Sequence, residues 1–173
     1  MNLIITCARH LEPDTEDELR DLFEEFGDPE PKITITSMSG ILVADTKLEP
    51  IDTVRKIKEK FLDEPWSVRY CLRVIPIQIQ AESKIESIVE EVAKLSNQID
   101  ENETYRISIE KRNSDVSSQE LIAKIASKFK NKVSLEYPDK IILVEILGSK
   151  AGISILKKSD ILSIEKTKRS MSE

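Results

Sequence analysis

Glycine, histidine and cysteine are scarce in this chain of 173 residues, which contains four glycines, one histidine and two cysteines. The four glycines form neither a GxGxxG motif nor a Walker-type phosphate loop. The two cysteines, Cys7 and Cys71, lack the number and the spacing of a zinc site. We therefore expect no cofactor, no metal and no catalytic centre of the nucleotide-binding or zinc-dependent kind.

The chain also lacks long apolar segments and a recognisable secretory signal. No apolar run approaches the roughly 20 residues that a membrane-spanning helix needs. Residues 1–7 begin directly with a strand-like segment, without a basic n-region or a small-residue cleavage site. We expect a soluble, cytoplasmic protein without a membrane partner, in which a reducing compartment keeps both cysteines as buried free thiols.

Charge is distributed unevenly along the chain. Residues 1–103 contain 12 basic and 23 acidic residues, a net charge of −11, whereas residues 104–173 contain 14 and 9, a net charge of +5. The overall net charge of −6 argues against indiscriminate coating of nucleic acid. The basic C-terminal part still allows a local phosphate-binding face, although an ordinary solvated surface explains the same excess.

Residues 1–76 show the order strand, helix, strand, strand, helix, strand. The first helix is predicted to begin at Asp14, because Thr15 and Glu18 have capping-box spacing. The two middle strands flank a turn that contains Gly40, a pattern typical of a hairpin. This βαββαβ order predicts an α+β fold class with an N-terminal ferredoxin-like domain, in which both helices cover one side of an antiparallel sheet.

The last strand of this domain is predicted over residues 68–75 and carries two arginines. Its apolar side chains are expected to face the helices: Val68, Tyr70, Leu72 and Val74. Arg69, Cys71 and Arg73 then lie on the open face, where the arginines can meet a phosphate backbone or a second domain. A strand edge that carries charge against aggregation explains the two arginines equally well.

A short connector at residues 77–82 leads into a second predicted unit over residues 83–165, and the polar tail at 166–173 is predicted to be disordered. A capping box that begins at Ser83 predicts the first helix of this unit. The strand over 141–147 is so apolar that we expect it at the centre of a small sheet. Further strands are predicted over three segments: 104–110, 133–135 and 152–156.

Basic residues flank the second helix of this unit. Lys111 and Arg112 end the strand that precedes it, and a capping box of Ser117 with Glu120 marks its start. Further lysines cluster at the C-terminal half of the helix: Lys124, Lys128, Lys130 and Lys132. Because free amides at a helix N-terminus favour phosphate, Lys111 and Arg112 are the strongest candidates for a phosphate site.

These segments together resemble a THUMP domain, the RNA-binding module of several tRNA-modifying enzymes. Four features carry the resemblance: Tyr105-Arg106-Ile107 through Lys111-Arg112, the serine-capped helix, Val133 through Pro138-Asp139, and Ile142 through Glu145 before a glycine-containing strand. The βαββαβ unit is similar to the ferredoxin-like domain that often precedes THUMP. Residues 69–76 resemble the corresponding strand of the stand-alone THUMP proteins that assist the tRNA cytidine acetyltransferase.

The resemblance implies a tRNA-binding adaptor that is not itself an enzyme. Both units would grip the acceptor end of tRNA and present it to a separate enzyme, which makes N4-acetylcytidine with acetyl-CoA and ATP. The candidate RNA contacts are basic residues: Arg69, Arg73, Arg106, Lys111, Arg112, Lys124, Lys128, Lys130 and Lys150. For any single lysine among them, simple solvation is the alternative explanation.

Other functions stay open at this point. The chain could be the RNA-binding subunit of a different tRNA-modifying enzyme. A ligand-binding regulatory domain of the ACT type shares the βαββαβ order but usually has a glycine after the first strand, and residues 8–14 contain none. Acylphosphatase has the same fold, and here Arg9 stands without the glycine-rich loop that this enzyme requires. His10 has no nucleophile near it in the sequence, which favours a plain loop residue.

Overall fold

The structure, a computed structural model that describes residues 1–172, divides into two compact units. The first unit consists of Met1–Pro76 together with the residues from Ser159 onward, and the second is Ile77–Lys158. Each unit combines helices with one β-sheet, which confirms the predicted α+β fold class. No helix within residues 1–172 has the length and hydropathy that crossing a membrane requires.

The first unit has the predicted ferredoxin-like arrangement. Its elements in chain order are β1 (Leu3–Thr6), α1 (Glu12–Glu25), β2 (Lys32–Ile35), β3 (Ile41–Asp45), α2 (Pro50–Asp63) and β4 (Arg73–Pro76). The antiparallel sheet has the strand order β2-β3-β1-β4, and one short later strand extends it beyond β4. Phe23 of α1 and Phe61 of α2 pack with Leu3 and Ile5 in one core, so both helices cover the same side of the sheet.

The predicted hairpin between β2 and β3 depends on Gly40. Its φ is 75°, in the left-handed region that side chains disfavour. A Cβ atom at this position would lie only 2.6 Å from the carbonyl oxygen of Cys7. The Cys7 amide also donates to the Gly40 carbonyl at 2.9 Å, so this turn is held against the end of β1.

The predicted capping box at the start of α1 is wrong. The helix begins at Glu12, and the buried Thr15 hydroxyl donates to the Leu11 carbonyl oxygen at 2.7 Å. The Glu18 carboxylate instead accepts the three consecutive backbone amides of residues 69–71. A carboxylate in the second turn of a helix is within reach of such tertiary donors, which need acceptors because no strand partner takes them.

The predicted alternation along residues 68–75 is also wrong. The strand begins only at Arg73, because the amides of residues 69–71 bind Glu18 rather than a neighbouring strand, and only the Leu72 amide donates to the Thr6 carbonyl of β1, at 2.8 Å. Val68, Cys71 and Val74 all lie in the core, whereas Leu72 is 45% exposed. The alternation of side chains between two faces fails here because the residues before β4 do not belong to a β-strand.

The second unit is built on a four-stranded sheet with the order β5-β8-β7-β6. Its elements in chain order are β5 (Ile79–Glu82), α3 (Ile85–Lys94), β6 (Tyr105–Arg112), α4 (Ser118–Ala126), β7 (Lys140–Leu147) and β8 (Lys150–Leu156). β6 and β7 run parallel, and the other pairs are antiparallel. β7 pairs on both sides, as its apolar sequence predicted, and one core joins the sheet to α3 and α4.

Two segments near this sheet differ from the sequence-based expectations. Residues 77–82, predicted as a connector, contain β5, and the Gln78 amide donates to the Ile153 carbonyl at 3.0 Å. Residues 133–135, predicted as a strand, make only an isolated bridge between Val133 and Tyr105. Val133 is 58% exposed, because the side of the segment that carries it does not pack against a core.

The C-terminal residues join the first unit rather than the second. β9 (Leu162–Ser163) pairs with β4 at the edge of the first sheet, and α5 (Ile164–Ser172) follows it. The predicted disordered tail at 166–173 therefore lies largely within a helix, and its last residue is outside the described residues. Burial of Leu162 and Ile164 in the first core explains why this segment is ordered.

Candidate nucleic-acid interface

Lys111 and Arg112 lie at the end of β6 and point to opposite faces of the sheet. Lys111 follows the alternation of Tyr105, which lies in the helix-covered core, and Arg112 lies on the face of Glu145. The two side chains therefore cannot form a single phosphate site together. Their contact with RNA stays a prediction for each residue separately.

Both side chains have partners within the second unit. The Lys111 ammonium donates to the Val116 carbonyl oxygen at 2.7 Å, which ties down the loop between β6 and α4. The Arg112 guanidinium lies 3.9 Å from the Glu145 carboxylate, whose side chain is only 1% exposed. Because a buried carboxylate needs a nearby cation, Arg112 has a structural role in this unit.

Ser117 caps α4 as predicted. Its hydroxyl oxygen accepts the Glu120 amide at 3.2 Å. By contrast, the capping box predicted at Ser83 does not form, since α3 begins at Ile85 without a side-chain cap. Of the three capping boxes predicted from the sequence, only the one at Ser117 therefore provides a side-chain cap at a helix start.

Arg106 positions the segment between α4 and β7. It lies on β6, and its guanidinium donates to the Leu135 carbonyl oxygen at 3.0 Å. The amide of Ser134 donates to Tyr105 at 3.0 Å, and the amide of Tyr105 donates to Lys132 at 3.1 Å. The segment is thus fixed to the start of β6 by its backbone, and its Phe129 side chain packs against the core.

We call residues 128–137 the α4–β7 segment, and its side chains combine free cations with exposed apolar groups. The three lysines are exposed: Lys128, Lys130 and Lys132. Within residues 1–172, none of these ammonium groups has an ion pair or a hydrogen bond. Three apolar side chains follow them with 58%, 71% and 85% exposure: Val133, Leu135 and Tyr137. Exposed cations beside an exposed aromatic ring suit phosphate contact and base stacking.

Sequence analysis missed Tyr137 and left Lys132 out of the candidate contacts. The predicted strand at residues 133–135 implied burial of part of this segment, and Tyr137 lay outside it. Three lysines at i, i+2 and i+4, followed five residues later by an aromatic residue, were the available sign of a surface segment.

The other predicted contacts of the second unit are dispersed. Lys124 lies on α4, 3.5 Å from the Glu120 carboxylate, an exposed i,i+4 pair. Such a pair contributes little and leaves Lys124 available to a ligand. Lys150 is exposed at the start of β8, next to the turn that joins it to β7.

The two arginines of the first unit occupy different environments. Arg69 is exposed before β4, with its guanidinium 6.0 Å from the centre of the Tyr70 ring. Arg73 is half-buried within β4, on the face opposite the core residue Val74. Only Arg73 therefore follows the strand geometry that the sequence predicted.

The two thiols of the first unit are buried and free. Burial raises the pKa of Cys7, and it raises the pKa of Cys71 well above its ordinary value, with the Glu18 carboxylate as the next cause. Both thiols are therefore protonated at neutral pH, a state in which cysteine is a poor nucleophile. No cluster of potential metal ligands occurs in the part of the chain that the structure describes.

A family model for the THUMP domain matches residues 82–156 of the chain. This range runs from the last residue of β5 to the end of β8 and contains both helices of the second unit. The chain therefore contains a THUMP domain, which includes Lys111, Arg112 and the α4–β7 segment.

Two matched proteins extend over more of the chain. The uncharacterized protein MJ0421 of Methanocaldococcus jannaschii is 24% identical over 178 residues, which cover all of this chain and 46% of that protein. The solved structure of PH1313 from Pyrococcus horikoshii has a TM-score of 0.65 at 18% identity, over 91% of this chain and 55% of that one. The chain thus spans about half the length of these relatives.

Two further solved structures share the fold at lower identity. A 4-thiouridine synthetase, crystallised with RNA and bound ATP, has a TM-score of 0.55 at 16% identity, over 94% of this chain and 42% of that one. TrmN from Thermus thermophilus has a TM-score of 0.57 at 11% identity, over 90% of this chain and 45% of that one. At these identities the similarity establishes the fold alone.

Proposed function

We propose that this protein binds tRNA and presents it to a separate enzyme that makes N4-acetylcytidine, without catalysing a reaction itself. The observation that carries RNA binding is the α4–β7 segment, where three unpaired lysines precede the exposed Tyr137 within a THUMP domain. The likeness of residues 69–76 to stand-alone THUMP proteins supports the acetyltransferase as the enzyme served.

The chemistry of the α4–β7 segment supports a single-stranded or irregular RNA region as the ligand. Flexible ammonium groups neutralise phosphates without reading sequence. An exposed tyrosine ring offers a face on which an unpaired base can stack. Arg106 and the backbone hydrogen bonds to Tyr105 hold the segment in place, so little conformational entropy is lost on binding.

The synthetase that shares this fold was crystallised with RNA, which supports RNA as a ligand here. The chain spans 42% of that synthetase, 45% of TrmN and 46% of the archaeal relative. As part of this proposal, the likeness of residues 69–76 to the stand-alone THUMP proteins assigns catalysis to another polypeptide, which uses acetyl-CoA and ATP while this protein holds the tRNA.

RNA binding is tested by gel shift with tRNA across a series of salt concentrations. We expect the logarithm of the affinity to fall linearly with the logarithm of salt, because binding releases counterions from phosphates. A protein that fails to bind tRNA at low salt contradicts the proposal. Stabilisation by a small metabolite with indifference to RNA would favour a regulatory domain instead.

The adaptor role is tested by reconstitution. The purified tRNA cytidine acetyltransferase is incubated with tRNA, acetyl-CoA and ATP, with and without this protein, and N4-acetylcytidine is measured in the tRNA. We expect acetylation to rise several-fold when the protein is added. If acetylation is unchanged while tRNA still binds, the protein serves a different modifying enzyme.

A further inference from the structure

A groove of about 470 Å³ lies between α1 and the residues that follow α2, entirely within the first unit. Five of its ten lining residues carry carboxylates and two carry cations. The buried Leu22 and the half-buried Tyr70 also line it. The lining of the groove therefore combines acidic side chains with apolar ones.

Internal contacts neutralise only part of this charge. The Lys60 ammonium lies 2.8 Å from the Glu25 carboxylate, and Glu18 accepts the backbone amides of residues 69–71. Three exposed carboxylates remain: Asp14, Asp17 and Asp21. Within residues 1–172 none of them has an ion pair or a hydrogen bond. Their spacing of i, i+3 and i+7 places them on one face of α1, where they repel each other.

Trp66 lies beside this groove and is the single tryptophan of the chain. It is 71% exposed and directly precedes Ser67, which lines the groove. Leu62, at the end of α2, is 46% exposed. A largely exposed tryptophan next to other apolar groups is typical of a binding surface, because tryptophan contributes disproportionately when a partner covers it.

We propose that α1 and Trp66 form a docking surface for a partner protein, which presents a basic segment with apolar anchors. The choice of partner follows from charge complementarity: lysines or arginines pair with Asp14, Asp17 and Asp21, and an apolar side chain covers Trp66. RNA is disfavoured here because its phosphates would meet three unpaired carboxylates. This surface lies on a different unit from the α4–β7 segment, and its existence does not depend on tRNA binding.

Fluorescence tests the proposal directly, because Trp66 is the only tryptophan. The full chain is titrated with a short amphipathic peptide made of lysine and leucine in helical spacing. A peptide with glutamate in place of lysine is the control. We expect the lysine peptide to shift Trp66 emission to shorter wavelength with saturation, and the glutamate peptide to leave it unchanged.

Matched variants separate this surface from general attraction to an acidic protein. Asp17→Lys is expected to weaken binding of a fluorescently labelled lysine peptide about fivefold or more. Glu101→Lys makes the same charge change at an exposed position of the second unit and is expected to stay within about twofold of wild type. Trp66→Ala is expected to weaken binding about 30-fold, as for a central interface residue.

Three results would overturn the proposal. One is an equal affinity of the Asp17→Lys and Glu101→Lys variants for the lysine peptide, because binding would then depend only on the net charge of the protein. Another is an emission shift on addition of tRNA alone, which makes RNA the occupant. The last is a shift that depends only on the concentration of this protein, which makes a second copy the occupant. Loss of tRNA binding in the gel-shift experiment would leave the peptide measurements unaffected.

Discussion

The end of β6 and the α4–β7 segment are both basic, yet the second unit uses them differently. At the end of β6, Lys111 and Arg112 hold a loop carbonyl and a buried carboxylate. In the α4–β7 segment, three lysines have no partner within residues 1–172 and precede an exposed tyrosine. The difference shows that a basic residue next to a helix start is not necessarily available to bind phosphate. Its hydrogen bonds and ion pairs within the protein decide whether it is.

The largest expected effect separates the two regions by affinity. Replacing Lys128, Lys130 and Lys132 together by alanine should weaken tRNA binding about 30-fold at low salt and lower the salt slope by about 2 to 3. Gel shifts across a salt series measure both quantities. The matched control replaces Lys32, Lys47 and Lys58 of the first unit and should change affinity about twofold or less. Equal losses in both triple variants would contradict the assignment to the α4–β7 segment.

The next effect concerns the aromatic ring of the same segment. Tyr137→Ala should weaken tRNA binding about tenfold, because base stacking on an exposed ring is lost. Tyr137→Phe keeps the ring and should stay within about twofold of wild type. Fluorescence anisotropy with labelled tRNA measures both. If the phenylalanine variant is as weak as the alanine variant, the hydroxyl rather than stacking is responsible.

Arg112→Ala should act mainly on stability. Removing the cation beside the buried Glu145 carboxylate should lower the free energy of unfolding by about 1 kcal/mol, a modest value because Arg112 is half-exposed and its contact is long. Urea denaturation measures the change, and tRNA affinity should alter about threefold or less. An affinity loss comparable to that of the triple lysine variant would restore Arg112 as a principal phosphate contact.

The smallest effect compares two serines with the same sequence signature. Ser117→Ala should cost about 1 kcal/mol, since its hydroxyl caps α4. Ser83→Ala should change stability by less than about 0.5 kcal/mol, because no cap forms at α3. Thermal or urea unfolding of the two variants gives the comparison. A larger loss at Ser83 would mean that the capping box forms in solution.

Sequence patterns predicted the first unit well wherever local signals and tertiary contacts agreed. The βαββαβ order, the Gly40 hairpin and the helix-covered face all followed from period and turn chemistry. Glu18 shows where this agreement ended. Its spacing from Thr15 indicated a capping box, but its carboxylate binds amides some 50 positions away in the chain. Local pattern carries no information about such a partner.

The candidate site was less predictable than the fold. The basic character of the second unit was visible in the sequence, and so was its THUMP resemblance, which the match over residues 82–156 supports. The sequence did not show which of these cations have internal partners, because nothing in it distinguishes Lys111 from Lys128. Tyr137 lay outside the predicted strand at residues 133–135, and no local pattern distinguished its ring as an exposed one.

By itself the sequence determined the element types, the ferredoxin-like order and the central place of β7, because periodicity and turn residues act over a few neighbouring positions. Only the tertiary structure decided that Glu18 binds residues 69–71, that the C-terminal residues extend the first sheet, and that Arg112 lies beside a buried carboxylate. Each of these contacts joins residues far apart in the chain. Burial and hydrogen-bond partners at such distances arise from packing of the whole unit, which no local pattern encodes.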